Sequence, residues 1–155
     1  MSSGFPLWQL LGYPGTWQRY HQTKLANSAF AMELHRRLCD ANITNIKSMV
    51  AEPGYARTSL SGNSAMVKPS MAGHMEKNGQ SSEDGCLPCA MAAFSSEAES
   101  GDMYMPVHKT FGMPFKNISK GIPVKKGTET HTCNDSNKSI SWIGCEKALG
   151  IEFKL

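Results

Sequence analysis

The stretch Tyr20-His21-Gln22-Thr23-Lys24-Leu25-Ala26-Asn27 opens a run with helical periodicity that ends near Cys39. Residues four positions apart on a helix are neighbours on one face, so this spacing places Tyr20 beside Lys24. Asn27 continues the same polar stripe. The ammonium group of a lysine favours the phenolate of an adjacent tyrosine, lowers the pKa of its hydroxyl and makes it a better proton donor or acceptor near neutrality. The pattern predicts that the Tyr20 hydroxyl transfers a proton to or from an alcohol or carbonyl oxygen.

The other face of the same run is apolar. Its members recur at the spacing of a buried helical stripe and are Ala26, Phe30, Leu34 and Leu38. We expect a helix over residues 18–40, with this stripe against a core. Because a tyrosine and a lysine often fall four residues apart by chance, the alternative is an ordinary exposed pair on a solvated helix face.

Three phrases of the sequence together resemble one enzyme family. They are Tyr-x-x-Thr-Lys-x-Ala-Asn at residues 20–27, Glu33-Leu34-x-Arg36-Arg37-Leu38, and Pro53-Gly54-Tyr55-Ala56-Arg57-Thr58. The resemblance is to the short-chain dehydrogenase/reductase family, and the helix is most similar to its retinol-dehydrogenase-like and WW-domain-oxidoreductase-like branch. The similarity covers residues 1–60 best. It implies an α/β fold, namely the C-terminal part of a Rossmann-like doubly wound parallel sheet.

The resemblance also implies catalytic roles for three residues. Tyr20 would give or take the proton on the substrate oxygen. Lys24 would support Tyr20 and hold the nicotinamide ribose. Ser3, matched to the family's catalytic serine, would polarise the substrate carbonyl by hydrogen bonding. An ordinary serine near the N-terminus is an equal alternative for Ser3.

The cofactor implied by the resemblance is NAD or NADP, and its nicotinamide would be lined by the loop after the predicted strand. The matched residues are Pro53, Gly54 and Thr58, in addition to Tyr20 and Lys24. Glycine permits close approach of the backbone to a flat ring, and proline fixes the direction of the exit from the strand. A plain strand-to-loop turn is the alternative, since Pro-Gly is a common turn signal.

The family's glycine-rich dinucleotide motif, Gly-x-x-x-Gly-x-Gly, does not occur in this sequence. We therefore expect the N-terminal dinucleotide-binding half to be missing and the chain to be a truncated oxidoreductase. The resemblance implies a small-molecule alcohol or carbonyl substrate of lipophilic character, and a homo- or hetero-dimer formed through the Tyr-Lys helix. A non-catalytic fragment that associates with full-length relatives is the alternative function.

The chain is predicted to be one partial domain, residues 1–155. Its first part, 1–58, holds the serine loop, the Tyr-Lys helix, a strand at 43–51 and the Pro-Gly loop. Residues 59–85, rich in serine, glycine and methionine, are predicted to be a flexible substrate loop.

The last part of the predicted domain, 86–155, holds the C-terminal helices and a late strand. The helices are expected at 87–94 and 139–150, and the strand within 99–106. Residues 107–136 contain few apolar side chains and several glycines and prolines, so a long loop is expected there.

Cys86-Leu87-Pro88-Cys89 is the other motif whose side chains could react or bind a metal. A Cys-x-x-Cys pair that opens a helix can support disulfide exchange, although residues 70–85 lack the preceding strand of a thioredoxin-like unit. A zinc site would need further ligands such as Cys133 with His108 or His131, at spacings that match no standard site. The third interpretation is a plain helix whose small residues pack on the sheet, and we predict no metal.

Composition narrows the class of protein. The chain has 155 residues, 40% of them hydrophobic, with a net charge of +3, which favours a globular domain and does not indicate nucleic-acid binding. No apolar run approaches the length of a membrane span, and the first residues lack the pattern of a signal peptide. The five cysteines, an odd number, are then expected to be free thiols in a reducing compartment. A cytoplasmic location follows.

Overall fold

The computed structural model describes residues 15–59, 73, 76–125 and 131–155. Within them the chain belongs to the α/β class, as predicted. The helices and strands, in order, are α1 (Gly15–Asp40), β1 (Val50–Ala51), α2 (Ser82–Gly85), α3 (Leu87–Phe94), β2 (Met103–Pro106), β3 (Pro114–Ser119), β4 (Ile122–Pro123) and α4 (Asp135–Leu149). Ser3 and most of the predicted substrate loop lie outside the described residues.

The four strands described form one mixed sheet in the order β1-β2-β3-β4. β1 runs parallel to β2, with Val50 opposite Met103, whereas β2 and β3, and β3 and β4, are antiparallel. The expectation of a wholly parallel sheet therefore holds only for the β1–β2 pair. The expectation of a long loop over 107–136 was wrong, because β3 and β4 lie within it.

A tight hairpin explains how strands form in that polar segment. Lys120 and Gly121 both have positive φ, 51° and 80°, and they join Ser119 to its cross-strand partner Ile122. Two successive residues with positive φ make the kind of two-residue turn whose twist matches that of paired strands. The carbonyl of Gly101 accepts a hydrogen bond of 2.8 Å from the Gly121 N–H, which ties the turn to the beginning of β2.

β1 is shorter than predicted, because the residues before it bind other parts of the chain. The Ser48 hydroxyl donates to the carbonyl of Ala31 in α1 at 2.8 Å. The Ser48 carbonyl accepts from the Gly101 N–H at 2.7 Å. Residues 43–49 thus connect α1 to the sheet without joining a strand ladder.

The predicted helix is confirmed as α1, and its C-terminal half packs on the sheet. Met32 forms a buried cluster with Met103 of β2 and Ile118 of β3. Of the predicted apolar stripe, Leu38 is buried, whereas Ala26, Phe30 and Leu34 are only half-buried. The most buried positions of α1 are Ala29, Met32, Glu33 and Leu38. The stripe is rotated from the prediction because α1 contacts the sheet on one side and α4 on another.

The contact between α1 and α4 is centred on Trp142, which is buried. Its ring stacks on Phe30 with 5.0 Å between centroids, and the guanidinium of Arg37 lies 4.3 Å from the ring centroid. The indole N–H donates to Glu146 Oε1 at 2.8 Å. The contacts with Phe30 and Arg37 hold α4 on α1, and the bond to Glu146, within α4, orients the indole ring.

The ends of the helices follow from local capping. α4 begins four residues before the predicted position because the Asn134 side chain accepts from the Asn137 N–H at 3.1 Å. It ends as predicted at Gly150, which adopts the left-handed conformation. α3 has its predicted bounds and packs against β1, β2 and β3. None of the helices in the described residues has both the length and the apolarity of a membrane span.

Candidate functional site

Tyr20 and Lys24 lie together on the first half of α1. The Lys24 Nζ is 5.3 Å from the centroid of the Tyr20 ring, within the range of a cation–π contact. Tyr20 is half-buried and Lys24 is exposed. The Tyr20 carbonyl accepts from the Thr23 hydroxyl at 2.7 Å, so Thr23 is engaged by the helix backbone. The predicted proximity of the phenol and the ammonium is therefore present.

The rest of the polar stripe on α1 is open to solvent. Asn27 is exposed, and the Ser28 hydroxyl donates to the Lys24 carbonyl at 3.1 Å. The ring of His21 meets that of Tyr20 edge-on, with 5.7 Å between centroids. This surface carries hydrogen-bonding groups and positive charge, which suits a polar or anionic molecule.

Pro53 and Gly54 follow β1 as predicted, but the space beside them is filled by the chain itself. Gly54 has φ +66°, and a Cβ at this position would lie 2.6 Å from the Thr110 carbonyl oxygen. The same oxygen accepts from the Tyr55 N–H at 2.7 Å. Thr58 is exposed. The loop that contains Thr110 thus explains why position 54 is a glycine.

A buried glutamine holds this loop to its neighbours. Gln80 donates through Nε2 to the Pro53 carbonyl at 2.7 Å and accepts through Oε1 from the Gly112 N–H at 3.1 Å. Its side chain therefore joins the exit of β1 to the turn after β2. Sequence reasoning could not detect this role, because Pro53, Gln80 and Gly112 are far apart along the chain.

The positions of these residues indicate how well they could bind a nicotinamide cofactor. The hydroxyl of Tyr20 and the ammonium of Lys24 are groups that can hydrogen-bond to ribose and to a substrate oxygen. The Cα face of Gly54 does not fit the role expected of it, since Thr110 occupies the position where a flat ring would approach. The fit is therefore good for the Tyr20–Lys24 pair and poor for Gly54.

A cavity of about 530 Å³ lies near the carboxyl ends of β1 and β2. Its walls include the apolar side chains of Leu87, Phe111 and Met113 and the charged side chains of Lys77 and Asp84. Small-molecule sites have volumes of roughly 300–1,000 Å³, and in open α/β sheets they lie at the carboxyl ends of the strands. Within the described part of the chain, its lining contains none of the residues predicted for the site.

A second tyrosine–lysine pair, missed in the sequence, lies in the sheet around Asp102. Asp102 is completely buried, and its carboxylate lies 2.7 Å from Lys116 Nζ. The Tyr104 hydroxyl donates to the same carboxylate at 3.3 Å. Burial, with the charge of Asp102, raises the pKa of Tyr104, and the hydrogen bond with Asp102 raises the pKa of Lys116. This arrangement keeps the phenol protonated and serves structure rather than proton transfer.

The carboxylate of Asp102 also orders two turns. It accepts from the Glu99 N–H at 2.9 Å and from the Lys120 N–H at 3.1 Å. Hydrogen bonds and an ion pair thus compensate for the burial of its charge, as a buried carboxylate requires. Its partners lie up to 18 positions away, so sequence spacing could not reveal the group.

His35 of α1 forms a third polar cluster with Ser100. Its Nδ1 lies 3.0 Å from the Ser100 hydroxyl, which also accepts from the Ser48 N–H at 3.1 Å. The thiol of Cys39, one turn along α1, lies 3.7 Å from the same ring nitrogen. Because the Ser100 oxygen is already held by a backbone amide, this cluster is arranged to join α1 to the strands.

The structure therefore brings Tyr20 to Lys24, and separately places Pro53 and Gly54 against Thr110 and Gln80. In the described residues, no group of three or more histidine, cysteine, aspartate or glutamate side chains could hold a metal ion. No protein-family model, curated protein or solved structure matches the chain. The function of the site has to be inferred from its own residues.

Proposed function

We propose that the chain is an NAD(P)-dependent oxidoreductase of the short-chain dehydrogenase/reductase type, acting on an alcohol or carbonyl substrate. The observation that carries the proposal is the contact of Lys24 Nζ with the Tyr20 ring, 5.3 Å from its centroid. Two further features support it. α1 leads into a strand, β1, that pairs in parallel with β2, and Pro53-Gly54 follows β1. These features are compatible with part of a Rossmann-like domain.

In this proposal the protein's own residues bind the substrate and move a proton. The Tyr20 hydroxyl donates its proton to a carbonyl oxygen during reduction, or accepts one from an alcohol during oxidation. The ammonium of Lys24 stabilises the negative charge that Tyr20 carries after donation. Ser3 is proposed to hydrogen-bond the substrate oxygen. NAD(P), when bound, supplies or accepts the hydride.

The location and the substrate class are part of the same proposal. The five cysteines all lie in the described residues and none of them forms a disulfide there, which supports a reducing compartment such as the cytoplasm. A lipophilic substrate is proposed from the family resemblance alone, because the cavity with the apolar residues Leu87, Phe111 and Met113 contains none of the residues proposed for catalysis. The net charge of +3 gives no support to nucleic-acid binding.

The test is cofactor-dependent turnover of a panel of alcohols, aldehydes, ketones and retinoids by the purified chain. Wild type should oxidise or reduce at least one of them with NAD(H) or NADP(H). Tyr20→Phe and Lys24→Met should each lower kcat/KM by about 10²-fold or more, since general acid–base catalysis contributes 10²–10⁴-fold. Lys147→Met, an exposed change on α4, is the matched control and should retain full activity. Absence of turnover by wild type, or activity unaffected by Tyr20→Phe, would overturn the proposal.

The second candidate is a non-catalytic fragment that associates with a longer relative. A set of exposed apolar side chains on α4 and the residues after it favours this function: Ile140, Ile143, Leu149, Ile151, Phe153 and Leu155. Exposed apolar surface is typical of association sites. The first half of α1, by contrast, exposes mainly polar side chains, so a dimer through the Tyr-Lys helix would rely on hydrogen bonds. Co-purification with a full-length relative in the absence of NAD(P) binding would support this function, and a chain that stays monomeric would count against it.

A further inference from the structure

Two exposed cysteines frame the first turn of α3. Cys86 is the residue that precedes the helix and Cys89 lies within its first turn. Pro88, between them, is buried. Pro88 therefore attaches the turn to the body of the protein, while both cysteine side chains remain at the surface.

The backbone of this turn places the two cysteines close together. Cys86 already has helical dihedral angles, φ −83° and ψ −13°, so it is related to Cys89 as residues i and i+3 of a helix. Such residues have Cβ atoms about 5–6 Å apart, whereas a disulfide needs about 3.5–4.5 Å. A shift of about 1–2 Å would close the bond, and residue 86 lies at the end of the helix, where such a shift is least restricted.

The reduced form has its own stabilising contact. The Cys86 thiol donates to the Glu83 carbonyl oxygen at 3.0 Å, which holds the sulfur against the α2–α3 junction. The other three cysteines lie elsewhere, Cys39 on α1, Cys133 before α4 and Cys145 on α4. Cys86 and Cys89 are thus the natural partners for an intramolecular disulfide.

The turn also borders the cavity of about 530 Å³, because Asp84 and Leu87, on either side of Cys86, contribute to its walls. Lys77 lies in the same walls and offers a positive charge. A small, anionic disulfide such as oxidised glutathione carries carboxylates that a lysine can attract. The cavity lies beside the turn, with both Lys77 and Asp84 in its walls, but neither cysteine is among the residues that line it. Glutathione can reach the two thiols directly from solvent, because both cysteines are exposed.

We propose that Cys86 and Cys89 form a reversible intramolecular disulfide by exchange with oxidised glutathione, independently of the function of Tyr20. In the first step one cysteine thiolate attacks a glutathione sulfur, the glutathione S–S bond breaks, and one glutathione thiolate leaves. In the second step the other cysteine thiolate attacks the mixed disulfide and releases the second glutathione. The two cysteines lose two protons and two electrons, and one glutathione disulfide is reduced to two thiols.

The test is to equilibrate the purified full chain at about pH 8 in buffers with graded ratios of reduced and oxidised glutathione. After rapid alkylation and digestion, mass spectrometry measures Cys86 and Cys89, which should both lose their free thiols in the oxidising buffers without gaining glutathione. The tryptic peptide 78–109 contains Cys86 and Cys89 and no other cysteine. It should lose two hydrogens. The urea-unfolded chain should need about tenfold more oxidised glutathione for the same conversion, because the folded turn raises the effective concentration of one thiol at the other.

Matched serine variants complete the experiment. Cys86→Ser and Cys89→Ser should no longer lose two thiols together, and the remaining cysteine should carry glutathione instead. Cys39→Ser and Cys145→Ser, which remove exposed cysteines outside the turn, should still lose two. The proposal is overturned if peptide 78–109 keeps both thiols in fully oxidised glutathione, if it becomes linked to another peptide, or if the unfolded chain oxidises as readily as the folded one.

Discussion

The ammonium of Lys116 lies 2.7 Å from the carboxylate of Asp102, and this carboxylate is wholly buried. The pair joins β3 to the residues that precede β2. Since the same carboxylate also binds the Tyr104 hydroxyl and two backbone amides, it is the polar centre of the sheet. Removing its charge should therefore affect stability more than any change at the surface ion pairs.

Asp102→Asn should lower the free energy of unfolding by about 3 kcal/mol, because the variant leaves the Lys116 ammonium without its counter-charge and places an amide against donors. Urea unfolding followed by circular dichroism measures the change. Glu99→Gln is the matched control, since Glu99 pairs with Lys120 at a largely exposed site. It should cost less than about 1 kcal/mol. Equal effects of the two substitutions would contradict the assigned role of Asp102.

Stability should fall at alkaline pH through the same cluster. Burial raises the pKa of Tyr104, and the hydrogen bond to Asp102 raises the pKa of Lys116. The folded state then keeps protons that the unfolded chain releases, so the free energy of unfolding should decrease as pH rises above about 10. Tyr104→Phe should reduce this decrease. Tyr55→Phe, at an exposed tyrosine, should follow wild type, and an unchanged slope for Tyr104→Phe would contradict the prediction.

At acidic pH the sensitive group should be Glu33. Its buried carboxylate accepts two hydrogen bonds from Arg36, at 2.7 and 2.9 Å, and one from Arg37 at 2.9 Å. The two hydrogen bonds from Arg36 lower the pKa of Glu33 below its ordinary value of 4.5, and the one from Arg37 acts in the same direction, whereas burial opposes both. A lowered pKa contributes stability above that value, and the contribution is lost as pH falls through the folded pKa.

Glu33→Gln should therefore be less stable than wild type at neutral pH, and the difference should shrink as the pH is lowered below about 4.5. Urea unfolding at a series of pH values measures it. Glu152→Gln is the control, because the Glu152 side chain is exposed and pairs only loosely with Lys154, at 3.4 Å. If the free energy of unfolding of Glu33→Gln differs from that of wild type by the same amount at every pH, the ionisation of Glu33 contributes nothing to stability.

Two glycine substitutions should have opposite effects. Gly54→Ala should destabilise the protein by about 2 kcal/mol or more, because position 54 has φ +66° and the added Cβ would meet the Thr110 carbonyl at 2.6 Å. Gly144 lies within α4 with no atom within 4 Å of an added Cβ. Gly144→Ala should stabilise by roughly 0.5–1 kcal/mol through helix propensity. In thermal unfolding, Gly54→Ala should have a lower Tm than wild type and Gly144→Ala a higher one.

The sequence predicted the helices better than the sheet, for physical reasons. α1, α3 and the end of α4 follow from local signals: periodicity, a proline in the first turn and a glycine at the C-cap. β3 was missed because Lys116 and Asn117 are polar, and the sheet tolerates Lys116 through Asp102, a residue distant in sequence. The Lys120-Gly121 turn carried a signal that could have revealed the hairpin, a glycine between two short extended segments.

For the candidate site, the spacing of Tyr20 and Lys24 was sufficient to predict their contact, because neighbours on a helix depend only on the helix. The surroundings of Gly54 could not be predicted in the same way. Its contact with Thr110 joins residues 56 positions apart, and only the arrangement of the strands brings them together. Glu33 was not expected to be buried, since the argument from apolar periodicity ignores a carboxylate that two arginines neutralise.

The parallel pairing of Val50 with Met103 affects the order in which the strands fold, because it joins residues 53 positions apart. Closing such a long loop is entropically costly, and contacts of this kind slow folding, whereas a hairpin with a two-residue turn forms within microseconds. The sheet should therefore grow from β4 towards β1. If folding stops before β1 docks, one edge of β2 remains unpaired. An intermediate with this exposed edge is prone to aggregate.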